Sequence, residues 1–258
     1  MSFEDSRFRS IMTFGTGPGA PTAATVSEFR TYAKPLMARV PSELQKEFLS
    51  LEHDMSGGSD RLYIVDGLIK KAAAELWAAD EILTGELAPL TMFHHARALY
   101  EAHALAYWLC KDFANRWKRV LKDGMRERLR FEDEYKKSIG AVPSDITDAG
   151  QALIDDDSIK LPPRVFDQTS GNAVLTSDYA FFWKYSSAHV HAGHMETGTA
   201  TVQTERWTIG ELLRGLVRHA AGTYREIANF YDIGRDECAA RLRDAEDYAT
   251  NQRTPSTD

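Results

Sequence analysis

The chain has 258 residues, 43% of them hydrophobic and 27% charged, with a formal net charge of -7 and a pI near 5.7. That is one large domain or two small ones, with apolar content enough for a real core, and it excludes a chain disordered throughout. An acidic chain repels nucleic acid at long range, so any RNA or DNA contact has to use a local basic patch.

The first residues, Met1 to Arg7, lack the basic and apolar regions of a signal peptide. Gly15, Gly17, Pro18, Gly19 and Pro21 break regular structure, so residues 1–24 read as a flexible arm. No Gly-Lys-Ser/Thr follows, so the glycines are not a phosphate loop. From Thr25 the period is helical. Pro41 in a first turn opens a helix towards His53, and Gly57 and Gly58 close it. Ser59 can cap a helix to about Leu83, with Leu62, Val65, Ile69, Ala72, Leu76 and Ala79 on one stripe. The next helix, from Pro89 to about Lys111, is apolar nearly all round and so should be central to its bundle. Asp112 to Ser138 reads instead as a charged surface helix. A short helix is expected near Ile146–Asp155, then an irregular stretch from Pro162 to Thr176. Ser177 should cap a helix running to Gly193. Thr197 to Glu205 looks like a polar, extended connection, and Thr208 with Glu211 makes a capping box for a long helix. Leu212, Leu216, His219, Tyr224, Ile227 and Tyr231 are its inner positions, which makes His219 a packing residue. A last helix spans about Asp236–Tyr248.

No alternating pattern of strands appears, and no run reaches the roughly 18 apolar residues a membrane span needs. The expectation is an all-α multi-helix bundle: a flexible arm (1–24), a single helical domain (25–249) and a frayed tail (250–258). Cys110 and Cys238 are too far apart in sequence for a disulfide framework or a zinc site, which fits reduced thiols in the cytoplasm.

Two groups of residues carry the candidate chemistry. On the apolar helix, His94, Arg97, Glu101, Leu105 and Trp108 recur at steps of three and four and share a face. Arg97 and Glu101 can pair, and a buried charge needs such a partner. The pair is either a polar site inside the bundle or an ion pair that fixes helix register. The second group is Ser187 and His191, one turn apart in a segment that also holds His189 and His194. On an unbroken helix His189 and His191 point apart, and no Glu-x-x-His pattern is present, so no metal site is expected. Asp155, Asp156 and Asp157 read as a solvated loop. No cofactor is implied. Arg116, Arg119, Lys122, Arg126 and Arg130 form a cationic stripe that could track RNA, although Asp123, Glu127, Glu132 and Glu134 are interspersed.

Arg97-Ala-Leu-Tyr-Glu101, followed much later by Trp183, Lys184, Ser187, Val190 and His191, resembles the bacterial domain-of-unknown-function family 5677. That family shows Tyr-Arg-x-x-Ser-x-x-Val-His at the second motif. The likeness covers roughly Leu62 to Ala192 and implies a helical fold without an assigned activity. More distantly, the spacing of Arg97 and His103 resembles the HEPN superfamily of helical ribonucleases. That resemblance implies a metal-independent endoribonuclease in a toxin or phage-defence setting. Arg97 would hold the scissile phosphate, His103 or His191 would activate the ribose hydroxyl, Glu101 would orient Arg97, and Ser187 would orient His191. The other reading is a non-catalytic helical interaction or ligand-binding module, expected as a homodimer, in which these residues are structural. A cleft that joins Arg97 to a histidine separates the two.

Overall fold

The structure is a computed structural model that describes residues 21–53, 59–83, 88–140, 146–185 and 198–250, and it is all-α, with no strand among the described residues. The helices are α1 (Ala23–Met37), α2 (Arg39–His53), α3 (Ser59–Ile82), α4 (Ala88–Cys110), α5 (Phe113–Ile139), α6 (Asp148–Asp155), α7 (Val165–Gln168), α8 (Ala173–Asp178), α9 (Gly198–Tyr231) and α10 (Glu237–Thr250). A π-helical segment, Tyr179–Tyr185, follows α8 directly.

The apolar helix is central, as its composition predicts. Met92, Phe93, Ala96, Leu99, Tyr100, Ala102, Ala106 and Leu109 of α4 are buried, and its principal partner is α9, through Leu212, Leu213, Leu216, Val217, Ala220 and Ala221. Helix α3 packs on α4, α10 packs on α9, and α1 bridges α3, α9 and α10. The Tyr224 hydroxyl of α9 lies 2.9 Å from the Leu36 carbonyl of α1 and 3.5 Å from the Ile69 carbonyl of α3. One buried phenol thus ties three helices to one point, and its hydrogen bonds remove the cost of burying a polar tip.

Local signals explain several boundaries. Thr22 caps α1, its Oγ1 accepting from the Thr25 N–H at 3.1 Å. Pro41 sits in the first turn of α2, where a missing N–H costs nothing. Thr147 caps α6, accepting from the Gly150 N–H at 3.2 Å. Three expectations fail. The stretch read as irregular holds α7 and α8, and the cap of α8 is Asn172, whose Oδ1 accepts from the Leu175 N–H at 3.0 Å. Ser177 is not a cap but a residue of α8, its hydroxyl donating back to the Val174 carbonyl at 2.8 Å. The threonine-rich stretch is helical from Gly198, so Thr208 and Glu211 lie inside α9 and do not start it. A β-branched residue costs only tenths of a kcal/mol in a helix, and extending one already nucleated by packing adds a hydrogen bond per residue.

The arm up to residue 20 and the tail from 251, Gly57 and Gly58, and the stretch 186–197 with Ser187, His189, His191 and His194 lie outside the described residues. Among the described residues no helix is long and apolar enough to cross a membrane.

Candidate functional site

Two polar clusters flank α4. The first is half-exposed. Arg97 donates through Nε to Glu101 Oε1 at 3.0 Å, one turn along α4, and the same oxygen accepts from Trp183 Nε1 at 3.0 Å. The Arg97 guanidinium carbon lies 5.3 Å from the Trp183 ring centroid, a cation–π contact. Trp183 in turn stacks on Tyr179, centroids 5.2 Å apart and planes 11° from parallel. The π-helical segment produces this arrangement. Asp178 and Phe182 face α9, while Tyr179 and Trp183, also four residues apart, turn towards the Arg97 side of α4. The Arg97 side chain is 24% exposed and that of Glu101 31%. Only Nε of Arg97 is bonded among the described residues, so its two terminal nitrogens offer donors in a fork suited to a carboxylate or a phosphate.

The second cluster is sealed. His103 of α4 and His219 of α9 meet through their Nδ1 atoms at 3.2 Å, and they are 2% and 0% exposed. Gly215, His219 and Gly222 share one face of α9. A Cβ on Gly222 would lie 2.2 Å from Cε1 of His103, and one on Gly215 would lie 2.0 Å from Cζ of Phe182. The two rings therefore need those glycines. Phe182 and Tyr100 complete the box, edge-on to His219 at 4.7 and 5.1 Å between centroids. Asp178 Oδ2 lies 3.5 Å from His219 Nε2, within ion-pair range but without hydrogen-bond geometry, and it accepts from Arg218 Nη1 at 2.7 Å. The carboxylate favours the proton on His219 Nε2. His219 Nδ1 then accepts from His103 Nδ1–H, and His103 Nε2 is a buried acceptor with no hydrogen-bond partner among the described residues. Burial, reinforced by Arg225 and Arg218, pushes the His103 imidazole down to about 3. Burial, then His103 and Arg218, holds His219 well below its ordinary range. Burial raises Asp178 against the pull of Arg218. At neutral pH both rings are uncharged, as an apolar box requires.

The candidates from sequence divide accordingly. Arg97 and Glu101 pair, with Trp183 as their third member. His103, six residues from Arg97 and about 120° around the helix, engages His219 behind α4 and is closed to substrate. Arg97 and His103 therefore do not form one site. Ser187 and His191 lie outside the described residues. Of the RNA-contact candidates, Arg116 bonds the Trp108 carbonyl and lies over its ring. Arg119 donates to the Lys160 carbonyl at 3.0 Å. Lys122 is buried and donates to the Asp156 carbonyl at 2.6 Å. These three staple the 156–161 loop and the end of α4 to α5, and only Arg126 of the four is exposed. No protein-family model, curated protein or solved structure matches this chain, so the two resemblances gain no support from comparison.

Asp178 and Arg218 went unnoticed in the sequence, and His219 entered only as a packing residue. A signal was present: Gly215 and Gly222 flank His219 at helical spacing, and glycines on the inner face of a helix mark a close approach. Burial pushes the Cys110 and Cys238 thiols up to about 12 and about 11, so neither is a nucleophile near neutrality. No group of three metal-ligating side chains converges among the described residues.

Proposed function

We propose that this chain is a helical ligand-binding module whose recognition site is the Arg97–Glu101–Trp183 face, and that the buried histidine pair is structural. The observation that carries the reading is the division of the polar residues. The arginine with unused donors lies on a half-open surface, and the histidine offered by the same helix is sealed behind it. Glu101 holds Arg97 in place through Nε, and Trp183 supports the guanidinium from its ring face. A pre-positioned fork beside an aromatic plane suits a small ligand with a phosphate or carboxylate group next to a flat moiety.

The test uses adenosine monophosphate as the probe, with binding followed by Trp183 fluorescence and by calorimetry. Binding by the wild-type chain, weakened at least tenfold in Arg97→Ala, is the expected result, because a charge-assisted bidentate contact contributes about 1.5–3 kcal/mol. Single-stranded RNA incubated without metal should stay intact with wild type and with His191→Ala alike. Cleavage by wild type that His191→Ala abolishes would replace this reading with the ribonuclease one.

A further inference from the structure

Arg97 and Glu101 are joined by one prong only. Arg97 donates to Oε1 of the carboxylate through Nε, and Trp183 Nε1 donates to the same oxygen, each at 3.0 Å. An ionised carboxylate oxygen has about two lone-pair sites, so the protein fills Oε1. A fork-to-fork pair would have placed a second guanidinium N–H on Oε2. Instead, Oε2 accepts no hydrogen bond among the described residues, and the terminal nitrogens of Arg97 donate none. Both side chains reach solvent, and none of these unused atoms is sealed in the core.

The unused acceptor and the unused donors are neighbours. Oε2 shares a carbon with Oε1, and the terminal nitrogens share one with Nε, so all of them flank the same 3.0 Å contact. Any acid that reaches the guanidinium therefore comes close to a carboxylate. A bare anion meets repulsion there. An acid with a cationic N–H group beside it meets a second partner, and a charge-assisted hydrogen bond replaces the repulsion. The two charged groups of the ligand have to be as close together as the protein atoms they engage. An α-amino acid has that spacing, with ammonium and carboxylate on one carbon. A nucleoside monophosphate lacks it, because its phosphate and the amino group of its base lie at opposite ends, so it can engage Arg97 alone.

Resting on the reading of this face as the recognition site, we infer that its ligand is an α-amino acid. The carboxylate sits on the terminal nitrogens of Arg97 and the ammonium on Glu101 Oε2. The flat moiety is the side chain, beside Trp183. Glu101 thus determines specificity as well as supporting Arg97.

Calorimetry with L-phenylalanine, phenylpropionate (the same acid without the ammonium) and adenosine monophosphate tests this. Wild type should bind L-phenylalanine at least tenfold more tightly than phenylpropionate. Glu101→Gln keeps an oxygen for Arg97 and Trp183 and turns Oε2 into an N–H donor. It should erase the preference, weakening L-phenylalanine at least tenfold while phenylpropionate binds as well as before or better. A Glu101 that only supports Arg97 would weaken both acids alike. That result would overturn the inference, and so would equal affinity of wild type for the two acids. In either case, binding of adenosine monophosphate that Arg97→Ala weakens would still uphold the recognition site. Absence of Arg97-dependent binding for all three probes would overturn the site and the inference together.

Discussion

At the residue scale, the histidine pair sets a pH dependence whose sign follows from its burial. His103 is pushed down to about 3 in the folded chain, and His219 is lowered as well. Unfolded, each titrates near 6.5. Below that pH the unfolded chain takes up protons that the folded chain refuses, so acid favours unfolding. The stability is complete above about pH 6.5 and declines progressively as the pH falls towards 3. Asp178, Asp123 and Glu226 act the other way, because a raised pKa lets the folded chain bind a proton first, and they offset part of the decline. Urea midpoints should be level from pH 8 to 6.5 and fall between 6.5 and 5, above the range where ordinary carboxylates titrate. A level profile down to pH 5 would contradict the neutral pair. His103 shows how far residue types and spacing go. Its distance from Arg97 suggested a shared site, yet six positions on a helix turn two side chains apart, and the partner that decides its chemistry lies 116 residues away on α9.

At the scale of elements, charge pattern and side-chain role diverge on α5. The cationic stripe is visible in the sequence, but spacing cannot tell a lysine that meets solvent from one that meets a carbonyl. Lys122 is buried and Arg119 is bonded to the following loop, so their substitution should be read in stability. Lys122→Met should lower the urea midpoint by the equivalent of about 1 kcal/mol, since it removes a charge-assisted hydrogen bond while water can still reach the exposed Asp156. Retention of single-stranded RNA on a filter should be unchanged. A large loss of retention with unaltered stability would return this helix to an RNA-contact role. The helices themselves were legible where the apolar content ran strongly, as in α3 and α4. They were missed where a cap lay upstream of the obvious one, as with Asn172 ahead of Ser177. They were missed again where threonine content masked a helix that packing extends, as in α9.

At the scale of the whole molecule, the central pairing joins α4 to α9, and Tyr224 closes α1 and α3 over a sequence separation of 188 and 155 residues. The all-α class could be read from the periods alone. Which helix would cover α4 could not, because α3, α5 and α9 all offer apolar faces and nothing local ranks them. The pairing has a consequence for synthesis. When α4 leaves the ribosome, the surface that will cover it has not been made. About 120 further residues must follow, and at 5–20 residues per second the wait is on the order of 10 s. During that time a helix apolar on nearly every side is exposed beside α3. A chain ended after residue 197 should stay in that condition, collecting in the insoluble fraction or on chaperones to a greater extent than the full-length chain. Recovery of the shortened chain as a soluble monomer with a cooperative melt would show that α9 is dispensable for the core. For this protein, a risk of aggregation is set by the interval between the making of two helices.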